Sequence, residues 1–242
     1  MDVILILVTA LLPVALLLYY IYKTDLYPEP SSQLVKAFFY GVIIVLPAVV
    51  IEVLVEEVLG AIGLNLSSLL GVTAQAFFVA ALPEEGLKLL ALWLLLRKNR
   101  FFDEHIDGIV YAVYVSLGFA AVENISYLFS NYDSWVEVGF SRALLAVPGH
   151  YAFGVLMGFF YSLYYFVNRS KRNKYLIFVA PFTAHGIYDT FAFSNTISPV
   201  LGGIGFVGLV LFCVLMHRFC RNRIGNHLHR DGKLFGMYHK LR

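Results

Sequence analysis

Residues 69–96 read LLGVTAQAFFVAALPEEGLKLLALWLLL and run directly into Arg97-Lys98-Asn99-Arg100. A helix that crosses a bilayer needs about 20 mostly apolar residues. This stretch has the length and, over most of its course, the composition. Its middle breaks the pattern, because Pro83-Glu84-Glu85-Gly86-Leu87-Lys88 puts three ionisable groups inside one span. Counted back from Arg97 at about 1.5 Å of rise per residue, Glu84 and Glu85 lie roughly 18–20 Å from the basic end. Charge at that depth is costly and by default marks a functional site. A fold that contains this helix must surround it with others carrying compensating groups.

The rest of the chain is built to do so. Of its 242 residues, 60% are hydrophobic and 14% charged, where a soluble domain carries about a quarter charged. The excess apolar surface must be solvated by lipid. Six further stretches read as spans: Val3–Tyr22, Leu34–Leu59, Gly108–Phe129, Ala143–Val167, Tyr175–Phe193 and Val200–Phe219. The fold class is therefore all-α, a polytopic membrane helix bundle of about seven transmembrane helices. Met1-Asp2 offers no basic n-region and no small-residue cleavage site follows, so the first stretch is expected to be a retained helix.

Lysine and arginine alternate between the two ends of these spans. Lys23 and Lys36 follow the first, Arg97, Lys98 and Arg100 the third, Arg169, Lys171, Arg172 and Lys174 the fifth, and Arg218, Arg221 and Arg223 the seventh. The intervening loops hold Arg142 alone. The positive-inside rule then puts the N-terminus outside and the C-terminus in the cytoplasm. Residues 1–219 read as the membrane bundle, and 220–242 as a basic tail bearing His227, His229 and His239, solvated and touching anionic lipid. The net charge of +2 sits at helix ends rather than on a folded basic face, which excludes a nucleic-acid partner. Cys213 and Cys220 fall in or beside the last apolar stretch and read as packing residues, not as a disulfide or a redox motif.

The ionisable residues of the other spans fall at one depth. The fourth span holds Phe119-Ala120-Ala121-Val122-Glu123-Asn124, the fifth Pro148-Gly149-His150, and the sixth Pro181 with His185-Gly186-Ile187-Tyr188-Asp189. Glu123 lies roughly 24 Å, His150 roughly 18 Å, and His185 and Asp189 roughly 17–23 Å from the cytoplasmic ends of their helices. Groups that merely glued helices together would contribute about 0.6–2 kcal/mol each and need not be ionisable. Proline near Glu84, His150 and His185 frees backbone groups where a polar cavity can satisfy them, and Gly154 and Gly158 permit close helix approach. Glu52, Glu56 and Glu57 near the outer end of the second span suggest a wet entrance or plain exposure at the boundary.

Two hydrolytic chemistries use these residue types. Adjacent carboxylates beside Lys88 can supply a general base for water, with His185 and Asn124 as donors to an oxyanion. Alternatively His150, His185 and Glu123 bind a zinc ion whose fourth position holds water, with a second glutamate as base. No HExxH pattern is present, so such ligands would come from separate helices. A proton-coupled transporter also places ionisable groups at mid-membrane, but carriers usually carry structural repeats and none is evident. A helix-packing scaffold is the third alternative.

In order and spacing, Glu84-Glu85-Gly86-Leu87-Lys88, Phe119 to Glu123-Asn124, His150 with Gly154, and His185 with Asp189 resemble the EExxK, FxxxEN, HxxxG and HxxxD elements of the PrsW family of bacterial membrane proteases. That family is distantly similar to the CAAX prenyl endopeptidase and bacteriocin-processing superfamily. Lys88 in place of arginine, Glu123-Asn124 where a histidine is common, and Asp189 where asparagine is common depart from the wider pattern and argue against prenyl-peptide cleavage. The resemblance implies a multi-pass cell-membrane peptidase of a bacterium or archaeon. Glu84, Glu85, Lys88, Glu123, Asn124, His150, His185 and Asp189 would form its site. It would cut a single-span membrane protein, such as an anti-sigma factor, near the outer side.

Overall fold

The computed structural model describes residues 2–65 and 67–240. The side chains of Asp2 and of residues 234–240 lie outside that description, and with them His239; so do Met1 and, at the end of the expected tail, Leu241 and Arg242. The described residues are helical almost throughout: α1 (Asp2–Thr24), α2 (Ser31–Ile43), α3 (Val45–Ala61), α4 (Leu69–Ala74), α5 (Leu82–Leu96), α6 (His105–Ser130), α7 (Trp135–Ser141), α8 (Val147–Ser162), α9 (Lys171–Phe193) and α10 (Pro199–Lys240). Among the described residues, six helical runs are long and apolar enough to cross a membrane. The seventh expected span, 69–96, is also helical from end to end, and Glu84, Glu85 and Lys88 are its charged residues. The all-α, polytopic bundle is the architecture found.

α6 is the central post. Eighteen of its 26 residues are buried, against Ala48 alone on α3. Small residues bring the neighbours close to it, as expected where lipid removes the hydrophobic drive and van der Waals contact must do the work. A Cβ at Gly41 of α2 would strike the Val115 carbonyl, one at Gly118 the Phe38 carbonyl, and one at Gly158 of α8 the Gly108 backbone. Gly154 meets Ala112 and Val113 in the same way.

Two of the three site prolines are absorbed by wide turns. Residues Gln75–Ala81 and Arg142–Ala146 form π-helical turns immediately before Pro83 and Pro148, and the Leu82 and Val147 amides reach back five residues, to Phe77 and Arg142. A proline ring collides with the carbonyl four residues earlier; the added residue in each turn moves that carbonyl aside, and such bulges recur at functional sites. Pro181 instead lies inside an unbroken α9.

The last helix differs from the sequence reading. α10 runs across the boundary expected at residue 220, and beyond it Cys220, His227 and Asp231 are buried. His227 Nε2 lies 3.2 Å from the Phe159 carbonyl. Asp231 accepts the His105 and Ile106 amides at 2.9 and 3.0 Å and meets His105 Nδ1 at 2.6 Å. A carboxylate there satisfies the free donors and the positive end of the α6 dipole, so the start of the expected tail is docked structure. Nearby, in the loops before α2 and α6, burial pushes the Glu29 and Glu104 carboxyls up to about 7, aided by neighbouring carboxylates; Tyr111 donates to Glu29 at 2.7 Å and opposes part of that rise. Each group holds its proton more tightly folded than unfolded, so stability is present below the ordinary value of 4.5 and is lost as pH rises through about 7. The thermal midpoint of the purified protein is accordingly expected to fall across that window, and a Glu29→Gln, Glu104→Gln double variant to flatten the slope.

Candidate active site

α5, α6, α8 and α9 converge on one buried ammonium. Lys88 Nζ donates to Glu84 Oε2 at 2.9 Å and to Glu85 Oε1 at 2.8 Å, and lies 3.2 Å from His150 Nδ1. An ammonium has three N–H donors and no acceptor, so all three are used. Its charge also stands over the Phe119 ring, 4.5 Å from the centroid. Because Lys88 can only donate, His150 Nδ1 must accept, which leaves its proton on Nε2; that nitrogen meets Glu123 Oε2 at 2.7 Å. His185 lies between two carboxylates, with Nδ1 at 3.0 Å from Glu85 Oε1 and Nε2 at 3.1 Å from Asp189 Oδ2. The ring proton lies toward one of them, and Phe153 stacks on the ring at 4.7 Å.

Seven of the eight residues expected from the sequence are therefore linked: Glu84, Glu85, Lys88, His150, Glu123, His185 and Asp189. Asn124 is the exception. It is turned from the cluster, its Nδ2 donating to the Ala10 carbonyl at 3.1 Å and its Oδ1 accepting from Arg142 Nε at 2.6 Å. Arg142 in turn brings Nη2 to 3.0 Å from Glu123 Oε2. Arg142 had counted only as a loop charge, yet a signal was present: it is the one basic residue at the end of the spans that otherwise has none.

A cavity of about 440 Å³ opens on this cluster. Glu84, Glu123, His150, His185 and Asp189 line it, with Arg142, Tyr127 and, from α3, Glu52. Of the three outer glutamates, Glu52 thus faces the cavity, while Glu56 and Glu57 are exposed. The two adjacent glutamates separate by role: Glu84 reaches the cavity wall, whereas Glu85 is fully buried between Lys88 and His185.

Of the expected zinc trio, His150 and Glu123 meet at 2.7 Å, but among the described residues His185 does not bring a donor atom to the same point, lying instead between Glu85 and Asp189. Among the described residues, a different set offers donor atoms within 4.8 Å of one another, namely Glu84, Glu85 and His185. Glu85 Oε2 is buried and has no hydrogen-bond partner. Two carboxylates and an imidazole suit a hydrolytic divalent cation, so these residues fit one.

A family model described as PrsW family intramembrane metalloprotease matches residues 29–217. The chain belongs to the PrsW family. Among its relatives, Protease PrsW of Geobacillus kaustophilus is 42% identical over 178 residues, covering 73% of this chain and 74% of that one. Protease PrsW of Bacillus subtilis is 38% identical over 182 residues, 73% and 77% of the two chains, and that of Clostridioides difficile 36% over 187, 74% and 76%. No solved structure matches. This PrsW-family chain is a multi-pass membrane peptidase, which sets the carrier and scaffold alternatives aside.

Removing one partner of a buried ion pair costs about 3–5 kcal/mol because it leaves uncompensated charge. Lys88→Met is expected to lower thermal stability by about that amount, and Lys88→Met with Glu85→Gln to recover part of the loss, read as thermal midpoints of the purified proteins.

Proposed function

We propose that this chain hydrolyses a peptide bond in a single-span membrane protein, in the half of the bilayer opposite the Lys- and Arg-rich loops, with Glu84 as the base. The observation that carries the reading is the cavity, which is walled by three carboxylates and two imidazoles of the site, by Glu52, and by Ser141, Arg142 and Phe193 from the helix ends remote from those loops. Of the adjacent pair, Glu84 is the glutamate that lines the cavity. Its carboxylate takes a proton as the water oxygen adds to the carbonyl carbon, and returns it to the amine nitrogen as the C–N bond breaks. Glu85 and Asp189 hold the His185 ring, and Lys88 holds Glu84 in place. The resemblance of the motifs supports an anti-sigma-factor-like substrate, and the bacterial relatives support a plasma-membrane location. In the alternative, metal-dependent version of the same hydrolysis, Glu84, Glu85 and His185 would hold a divalent ion such as zinc, which when bound supplies Lewis acidity toward the carbonyl and a more acidic water.

Co-expression with a panel of tagged single-span membrane proteins is expected to yield cleaved fragments with the wild type and intact proteins with Glu84→Gln and with His185→Ala. A wild type that leaves the whole panel intact, or variants that cut as the wild type does, would overturn the reading. For the ion, elemental analysis of the purified protein is expected to find about one equivalent of bound zinc, lost in His185→Ala; a metal content unchanged by that substitution sinks the ligand assignment.

A further inference from the structure

Asn124 and Arg142 share one task, and how they share it reveals a donor that none of the sequence motifs contains. Asn124 is 1% exposed and faces away from the cavity, fastened to the Ala10 carbonyl and holding Arg142 Nε. The guanidinium lies over the Tyr127 ring, 4.0 Å from its centroid. Its Nη2 stands 3.0 Å from Glu123 Oε2, the oxygen that also takes His150 Nε2 at 2.7 Å. Arginine and the site histidine are thus separated by a single carboxylate oxygen. That approach is off the hydrogen-bonding direction, and Nη2 is buried with no hydrogen-bond partner. A guanidinium carries five N–H donors in a rigid fork and keeps its charge. Here Nε is committed and Nη2 is not, on a side chain that lines the cavity beside Glu84 and His150.

We propose that Arg142 is the oxyanion donor of the proteolytic reaction and that Asn124 is the residue that positions it, an inference that rests on the protease reading above. As the water oxygen adds to the carbonyl carbon and Glu84 takes the proton, the electron pair of the C=O π bond moves onto the carbonyl oxygen. Arg142 donates N–H bonds to that oxygen. When the C–N bond breaks, the pair returns to re-form C=O and the amine leaves with the proton held by Glu84. Arg142 changes neither charge nor protonation. It is anchored before the reaction by Asn124, Tyr127 and Glu123, so little reorganisation is needed as charge develops, which is where such donors have their largest effect.

The test is steady-state cleavage, in proteoliposomes, of a single-span protein that the wild type cuts. Removing one oxyanion donor costs about 10²–10³ in kcat. Arg142→Ala is expected to lower kcat by about 10² with KM within about twofold, and Arg142→Lys, which keeps the charge but not the fork, to recover part of it. Asn124→Ala is expected to lower kcat by a smaller factor and to add nothing in the Arg142→Ala background. A kcat left within about twofold by both Arg142 variants overturns the inference, as does a loss confined to KM, or an Asn124→Ala loss that compounds the Arg142→Ala loss. If Arg142→Ala does not fold, Arg142→Lys carries the same kcat criterion. A wild type that cuts nothing in the panel sinks the protease reading itself, whereas a wild type that cuts beside an Arg142→Ala of equal kcat sinks this inference alone.

Discussion

A single ammonium, buried among apolar helices and limited to three N–H donors, sets the terms for everything around it. Lys88 cannot be left unpaired in a low-dielectric interior, and it cannot accept a hydrogen bond. Glu84 and Glu85 on its own helix take two donors, and His150 from α8 takes the third. From that last contact the proton of His150 is assigned to Nε2, which faces Glu123 on α6, and Glu123 in turn faces Arg142. On the other side Glu85 faces His185 on α9, and His185 faces Asp189. Four helices are joined by one chain of charge-assisted contacts, whose members orient one another because each has few alternatives.

The backbone makes room for that chain on one side and closes against it on the other. Gly41, Gly108, Gly118, Gly154 and Gly158 let α2, α6 and α8 approach until backbone meets backbone. That half of the bundle is closely packed. α3 by contrast buries only Ala48 and offers Glu52 to the cavity. The π turns before Pro83 and Pro148 set the register at which Glu84 and His150 enter from their helices. The cavity therefore lies between a closely packed half and a sparsely packed helix.

Much of this could be read in advance, for definite reasons. Spans are legible because lipid imposes a length and a composition, and the depth of Glu84, Glu123, His150 and His185 is legible because helical rise is fixed at about 1.5 Å per residue. Depth, however, is one coordinate of three. It cannot say which way a side chain turns around its helix axis relative to a neighbour, and so Asn124, adjacent to Glu123, was expected in the cavity but points instead at Ala10. Arg142 lies at the same site through a π turn that sequence periodicity does not signal. The stretch of α10 from Cys220 to Asp231 reads as tail because basic residues dominate it, while its few inward groups meet partners as distant in the chain as Ala152, Phe159 and His105.

The sequence by itself determined that the chain crosses the membrane about seven times, that its ionisable groups share one layer, and that its motifs resemble those of PrsW proteases. All three depend on local quantities: apolar length, rise per residue, and spacing along the chain. Only the tertiary structure decided which of the two adjacent glutamates faces the cavity, which nitrogen of His150 accepts, which three side chains bring donor atoms within 4.8 Å of one another, and that Arg142 lines the same cavity. Those depend on the rotation of one helix about its axis against the next, and that rotation is set by where glycine lets two backbones touch and where a buried charge must find its partner.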